Sequence, residues 1–162
     1  MKTAGKKETS NFDAALAEAE RGVRLGHGGP FGAAVVRNGR VIARAHNTVL
    51  RDNDPTDHAE MGAIRAAARR SKRPHLNDCV LIATSEPCPM CLAAAYWAGI
   101  REIHFCLPQG VAARFGFGDA FIYRDLRRSR RRRLVKEIAH ERPKHEALRL
   151  FREWRQGGGR LY

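Results

Sequence analysis

Segments with helix period and segments with strand period alternate along the 162 residues, which predicts an α/β protein: a three-layer α/β/α sandwich around a five-stranded mixed sheet. Three observations carry that expectation. Apolar runs of strand length alternate with amphipathic or alanine-rich stretches. The dipeptide Asn38-Gly39 separates the first two runs and marks an antiparallel hairpin, because both residues tolerate positive φ. The later runs are each separated by a helical segment, as crossovers between parallel neighbours require.

In chain order, residues 1–9 read as a mobile arm. Ser10-Asn-Phe-Asp13 has the form of a capping box and opens a helix to about Leu25, with Phe12, Leu16, Ala19 and Val23 as its inward stripe. Gly26-His-Gly-Gly-Pro30 stops it. Phe31 to Arg37 and Arg40 to His46 form the hairpin, and a polar loop runs on to Asp57. His58 starts an alanine-rich helix that ends near Arg70. Cys79 to Thr84 is a buried strand, Cys88 to Ala98 a helix and Arg101 to Leu107 another strand. After a glycine-rich segment and a short helix around Ala120 to Leu126, Leu134 to His140 alternates as a fifth strand. Lys144 to Gln156 closes the chain as an amphipathic helix using Leu148, Phe151 and Trp154. No linker or repeat divides residues 1–162, so one domain is expected, with 144–162 as its C-terminal helix and tail.

No run of about 20 apolar residues is present, so a membrane span is not expected. The N-terminus lacks the apolar core of a secretory signal. Cys79 and Cys106 sit singly inside apolar runs, where a cysteine behaves as a small hydrophobe. Reduced thiols and a cytoplasmic location follow as expectations. Lys and Arg exceed Asp and Glu by 30 − 17 = +13. Such a field attracts polyanions and raises RNA as a partner. The excess is concentrated in Arg124, Arg127, Arg128 and Arg130 to Arg133, with a smaller group at Arg69, Arg70, Lys72 and Arg73. A basic run is more often simply a solvated face.

The chemistry is concentrated in His58-Ala-Glu60 and Pro87-Cys88-Pro-Met-Cys91. One imidazole and two thiolates, His58, Cys88 and Cys91, make a zinc ligand set of three, and the fourth tetrahedral position stays open for water. Glu60 is left over as a carboxylate able to move protons. A structural zinc site would have no use for it, and a redox Cys-x-x-Cys would need a different context. Cys88 and Cys91 share one helix face at a helix N-terminus, where the dipole favours thiolate. The pattern resembles that of the zinc-dependent nucleobase deaminases.

Over nearly its whole length the chain resembles bacterial guanine deaminases of the cytidine-deaminase fold. The matching stretches are GGPFGA at 28–33, Asn47, NDPT at 53–56, HAE at 58–60, EPCPMCL at 86–92, AAYWA at 94–98, DAFIY at 119–123 and the final FREW…Y at 151–162. The resemblance implies a cytidine-deaminase-like fold, one Zn²⁺ per subunit on His58, Cys88 and Cys91, and attack of zinc hydroxide on C2 of guanine with Glu60 as proton shuttle. It also implies substrate roles for Asn47 and Asp119, a substrate or second proton-carrying role for Glu146, and a terminal Tyr162 reaching the active site. Phe31 is a candidate stacking surface. Each has a plainer reading: an Asx turn for Asn47, a solvated charge for Glu146, a core ring for Phe31 and a disordered end for Tyr162. Asp57 stands where the family often has alanine, and Gly157 to Gly159 where it has bulkier tails. Family members are homodimers with exchanged C-terminal segments. The rival readings are a tRNA adenosine deaminase, a deaminase of guanosine, cytosine or an aminotriazine, and a basic binding protein that keeps zinc for folding.

Overall fold

Asn38 and Gly39 both adopt left-handed φ, at 51° and 70°, and close the hairpin between β1 (Gly32–Arg37) and β2 (Arg40–His46). The computed structural model describes residues 2–141 and 144–161, with side chains from residue 11 onward. In it β3 (Cys79–Ser85) pairs antiparallel with β1, and β4 (Glu102–Leu107) pairs parallel with β3. The strand order is β2-β1-β3-β4. The mixed sheet therefore has four strands among the described residues, not the five expected. Leu134 to His140 forms no strand, and Leu134, Val135 and Ile138 are exposed. Alternation alone does not make a strand; it needs a hydrogen-bonded neighbour and one covered face.

The remaining elements are α1 (Lys2–Arg24), α2 (Val49–Asp52), α3 (Ala59–Ser71), α4 (Pro89–Trp97), α5 (Gln109–Arg114), α6 (Ala120–Leu126) and α7 (Lys144–Gln156). Helix α1 begins well before the expected cap at Ser10. Lys, Ala and Glu, all good helix formers, occupy much of residues 2–9 and carry the helix through that position. Its inward stripe is also rotated from the one expected. Ala15, Glu18, Ala19 and Gly22 are buried, whereas Leu16 and Val23 are 43% and 53% exposed.

The rotation has a steric cause at the sheet. A Cβ on Gly32 would lie 1.9 Å from the Ala15 carbonyl oxygen, so α1 lies directly against β1 and presents its smallest residues there. Ala15 packs with Ala34, Val36 and Ile82 on this face. The opposite face carries Ala33, Val35 and Leu81 against Ala59, Ala63 and Ala67 of α3 and Ala95 of α4. Successive β1 residues thus feed two separate cores, as strand alternation requires, and the three layers are α1, sheet, and α3 with α4.

By its contacts the chain divides into two compact units, Met1–Ala120 and Phe121–Tyr162. In the second, Arg130 and Arg133 pair with Glu137, and Arg128 pairs with Asp125. Part of the arginine run is thereby tied to acids of its own segment. Helix α7 ends in a Schellman turn: Gly158 has φ 77° and Gly159 N–H reaches the Trp154 carbonyl at 2.9 Å. Its expected apolar stripe, Leu148, Phe151 and Trp154, is exposed. No helix among the described residues is long and apolar enough to cross a membrane.

Gly32→Ala should lower the unfolding free energy by about 2 kcal/mol or more, because the added methyl meets backbone that cannot swing away. Urea denaturation of the two proteins measures the difference, and equal midpoints would contradict the close packing of α1.

Candidate active site

Two helix starts build the centre. His58 is the N-cap of α3 and Cys88 the N-cap of α4, both with extended backbone. Pro89 follows at the first turn, where its missing N–H costs no hydrogen bond. Cys91 lies one turn in, and its N–H donates to Cys88 Sγ at 3.5 Å. Cys88 therefore caps its own helix with the sulfur that faces His58.

His58 Nδ1 lies 3.5 Å from Cys88 Sγ and 3.6 Å from Cys91 Sγ. Zinc–nitrogen and zinc–sulfur bonds of ordinary length at the tetrahedral angle place those atoms about 3.6 Å apart. The three ligand atoms all lie within 4.8 Å of one another. The donor set and its spacing thus fit one zinc ion, with Nδ1 as the histidine ligand atom and three protein ligands, which leaves a position for water or substrate.

The charges of the centre are strongly coupled. The Cys88 thiol is pulled down to about 4 by hydrogen bonds from Cys91 and His58. Cys91 is pushed up because it donates to Cys88 and is buried. His58 is raised chiefly by its hydrogen bond to Cys88. Glu60, in the first turn of α3, is buried beside Cys91, and burial raises its carboxyl above the ordinary range. A carboxyl so placed holds a proton more tightly than a solvated one.

The first unit also holds Asn47, Phe31 and Asp119. Asn47 is buried; its Oδ1 accepts from the N–H of Gly29 at 3.2 Å and of Val49 at 3.3 Å. Those bonds set the amide flip and leave the NH2 as its donor end. The Asx-turn reading is thus part of the geometry, and it orients the amide. A Cβ on Gly28 would fall 2.0 Å from Asn47 Oδ1, so the glycine makes this approach possible. Phe31 meets Phe117 edge to face, with ring centroids 4.9 Å apart. Asp119 is held by Gln109 Nε2, and burial with the nearby Cys88 charge raises its carboxyl. Glu86 in turn accepts from the Gln109 N–H at 2.8 Å.

Phe117 and Gln109 were not anticipated. Phe117 stands in a Phe-Gly-Phe-Gly stretch that carries no period, and Gln109 starts a helix of only six residues. Asp57 pairs with Arg65 eight residues on, across the first turns of α3, rather than joining the ligand set. Glu146 lies on α7 in the second unit and is exposed. Tyr162 lies outside the described residues.

Residues 6–107 match the family model described as the cytidine and deoxycytidylate deaminase zinc-binding region. The chain is 41% identical over 134 residues to the guanine deaminase of Bacillus subtilis (strain 168), covering 83% of this chain and 85% of that protein. It matches the X-ray structure of guanine deaminase from Bacillus subtilis with a TM-score of 0.84 at 38% identity, over 91% of this chain and 93% of that one. A tRNA-specific adenosine deaminase from Aquifex aeolicus is 44% identical over 91 residues, or 56% of this chain and 60% of the relative.

In the metal-free protein at pH 6, iodoacetamide should alkylate Cys88 first, with its rate halved as pH falls to about 4. Cys79 and Cys106, both raised by burial, should react only as pH rises past about 8.5. Peptide mass spectrometry reads the order; equal labelling of Cys88 and the more exposed Cys106 at pH 6 would refute the thiolate assignment.

Proposed function

This chain belongs to the cytidine and deoxycytidylate deaminase family, and from that premise we propose that it hydrolyses guanine to xanthine and ammonia. The observation that carries the reading is likeness to a guanine deaminase along most of both chains, whereas the likeness to a tRNA deaminase spans little more than half of this one.

His58, Cys88 and Cys91 hold the zinc. When bound there, the ion lowers the pKa of a coordinated water towards neutrality. Glu60 takes a proton from the attacking water and delivers it to N3 of the base as the bond to C2 forms. The remaining proton of the hydroxyl so formed, carried to the departing amine, releases ammonia and leaves a new carbonyl at C2, which is xanthine. Burial of Glu60 supports this role, because it raises the carboxyl and makes it a stronger proton acceptor than a solvated one.

Asn47 offers its NH2 to an acceptor on the purine edge, an orientation supported by the two backbone bonds to its oxygen. Phe31, backed by Phe117, gives the base an aromatic wall. Asp119 supplies a carboxyl held by Gln109 on the Cys88 side. Glu146 and Tyr162 are assigned to the substrate on the family resemblance alone. The same resemblance supports a homodimer with exchanged C-terminal segments. Tyr96 and Trp97 on α4, 78% and 76% exposed, and Phe151 on α7, 73% exposed, are apolar surface consistent with a partner copy. A reducing, cytoplasmic location is supported by four unpaired thiols.

Ammonia release from the zinc-loaded protein should be substantial with guanine and slight with guanosine, cytosine, adenine, an aminotriazine and a tRNA. An inert guanine beside an active tRNA would replace this reading with the nucleic-acid one. Glu60→Gln should keep one zinc per chain by elemental analysis and lose about a thousandfold in kcat; a loss under tenfold would remove Glu60 from the proton path.

A further inference from the structure

On the α1 side of the sheet runs a hydrogen-bonded chain of three side chains, in a cavity that also reaches His58. Glu18 of α1 and His46 at the end of β2 are 6% and 8% exposed. The Glu18 carboxylate accepts from His46 Nδ1 at 2.9 Å, and His46 Nε2 lies 3.0 Å from His27 Nδ1, with the two rings stacked at 5.2 Å. A carboxylate can only accept, so His46 carries a proton on Nδ1, and a single proton is shared along the contact between His46 Nε2 and His27 Nδ1. Arg44 Nε approaches the other Glu18 oxygen at 3.1 Å and Arg21 stands at 3.8 Å, while Arg51 and Asp52 are the charges facing His27. Gly22 of α1 makes room for the ring: a Cβ there would lie 2.8 Å from His46 Cδ2.

The chain joins the two segments that carry the base pocket. His27 opens the turn leading to Gly28, Gly29 and Phe31, and its carbonyl accepts from the N–H of Leu50 and of Arg51, both at 3.0 Å, at the start of α2. His46 immediately precedes Asn47, whose N–H donates to the Phe31 carbonyl at 3.0 Å. A Cβ on Gly62 of α3 would meet Ala45 Cβ at 2.9 Å, so Ala45 faces α3 while His46 faces α1. By strand alternation the next side chain, Asn47, turns back towards the α3 side, where the zinc ligands lie. Fixing His46 from below therefore fixes the rotation of the backbone that aims Asn47.

We propose that Glu18, His46 and His27 are positioning residues for base recognition: anchored at a buried carboxylate, they lock the 26–31 and 46–51 segments together and so set the aim of Asn47 and Phe31. The inference rests on the guanine reading and on Asn47 as a base-binding residue. A chain of this kind acts on affinity for the base and not on the proton transfers at Glu60, because none of its members is a metal ligand or hydrogen-bonds to Glu60.

The test uses His46→Phe, which keeps a ring against Gly22 but loses both nitrogens, and His27→Phe, which changes only the half-buried end and leaves Glu18 and His46 paired. In each zinc-loaded variant, KM for guanine should rise about tenfold while kcat stays within about twofold and zinc remains at one per chain. In an Asn47→Ala background neither substitution should raise KM further, since the effect passes through Asn47. A merely structural role predicts instead a lower melting temperature and less active protein at unchanged KM. That result, or effects that multiply with Asn47→Ala, overturns the proposal. An Asn47→Ala protein with wild-type KM also overturns it while leaving guanine as the substrate. A wild-type protein inert towards guanine overturns both.

Discussion

Two sulfurs within 3.6 Å of the His58 imidazole nitrogen leave little freedom in where two helices begin. The imidazole comes from the cap of α3 and the sulfurs from the first turn of α4, so those turns must lie side by side above the sheet. The packing beneath them meets that demand with very small residues. Ala59, Ala63, Ala67 and Ala95 are essentially inaccessible, and with Ala33, Val35 and Leu81 they let both helices settle close to the strands. Alanine has no rotamers to choose from, which makes the seat of the metal ligands sterically single-valued. Glu60 is buried for the same reason: the second residue of a helix this close to the sheet has nowhere else to go.

What could be read from the chain and what could not divide along the range of the signal. The hairpin, β3, β4, α4 and α7 were legible within a residue or two because each has its own period or turn chemistry. So was the ligand set, because His, Glu and two Cys are chemically scarce and closely ordered. The fifth strand failed because Leu134 to His140 has alternation without a neighbour to pair with. Helices α2 and α5, with four and six residues, are shorter than two turns and cannot display a helical period. The face of α1 was misjudged because size, not hydrophobicity, decides which residues meet Gly32. Contacts such as Phe31 with Phe117 and Glu18 with His46 join positions 86 and 28 apart and become visible only in three dimensions.

The charge distribution reverses the impression left by composition. The chain carries +13 overall, yet the centre gathers Cys88, Cys91, Glu60 and Asp119: the Cys88 charge helps to raise the other three, while hydrogen bonds from Cys91 and His58 hold Cys88 itself down. Arginines elsewhere are drawn into local pairs: Arg65 with Asp57, Arg73 with Asp78, Arg51 with Asp52 and Arg133 with Glu137. The basic excess is thus a property of the surface, and a negatively charged donor set suits a divalent cation and a neutral base better than a phosphate.

The caps of α3 and α4 carry one more implication. His58 makes no side-chain hydrogen bond to the first turn of α3, and Cys88 offers α4 only a sulfur acceptor, so both helix starts lack the oxygen cap that serine or aspartate would provide. A metal held by His58, Cys88 and Cys91 would tie the two helix starts to one another, and its binding energy would be added to the folding equilibrium. Cellular zinc supply therefore bears on more than the fraction of enzyme that is active. Linkage of this kind would make the two helix starts, and with them the mouth of the site, less stable in protein without its metal.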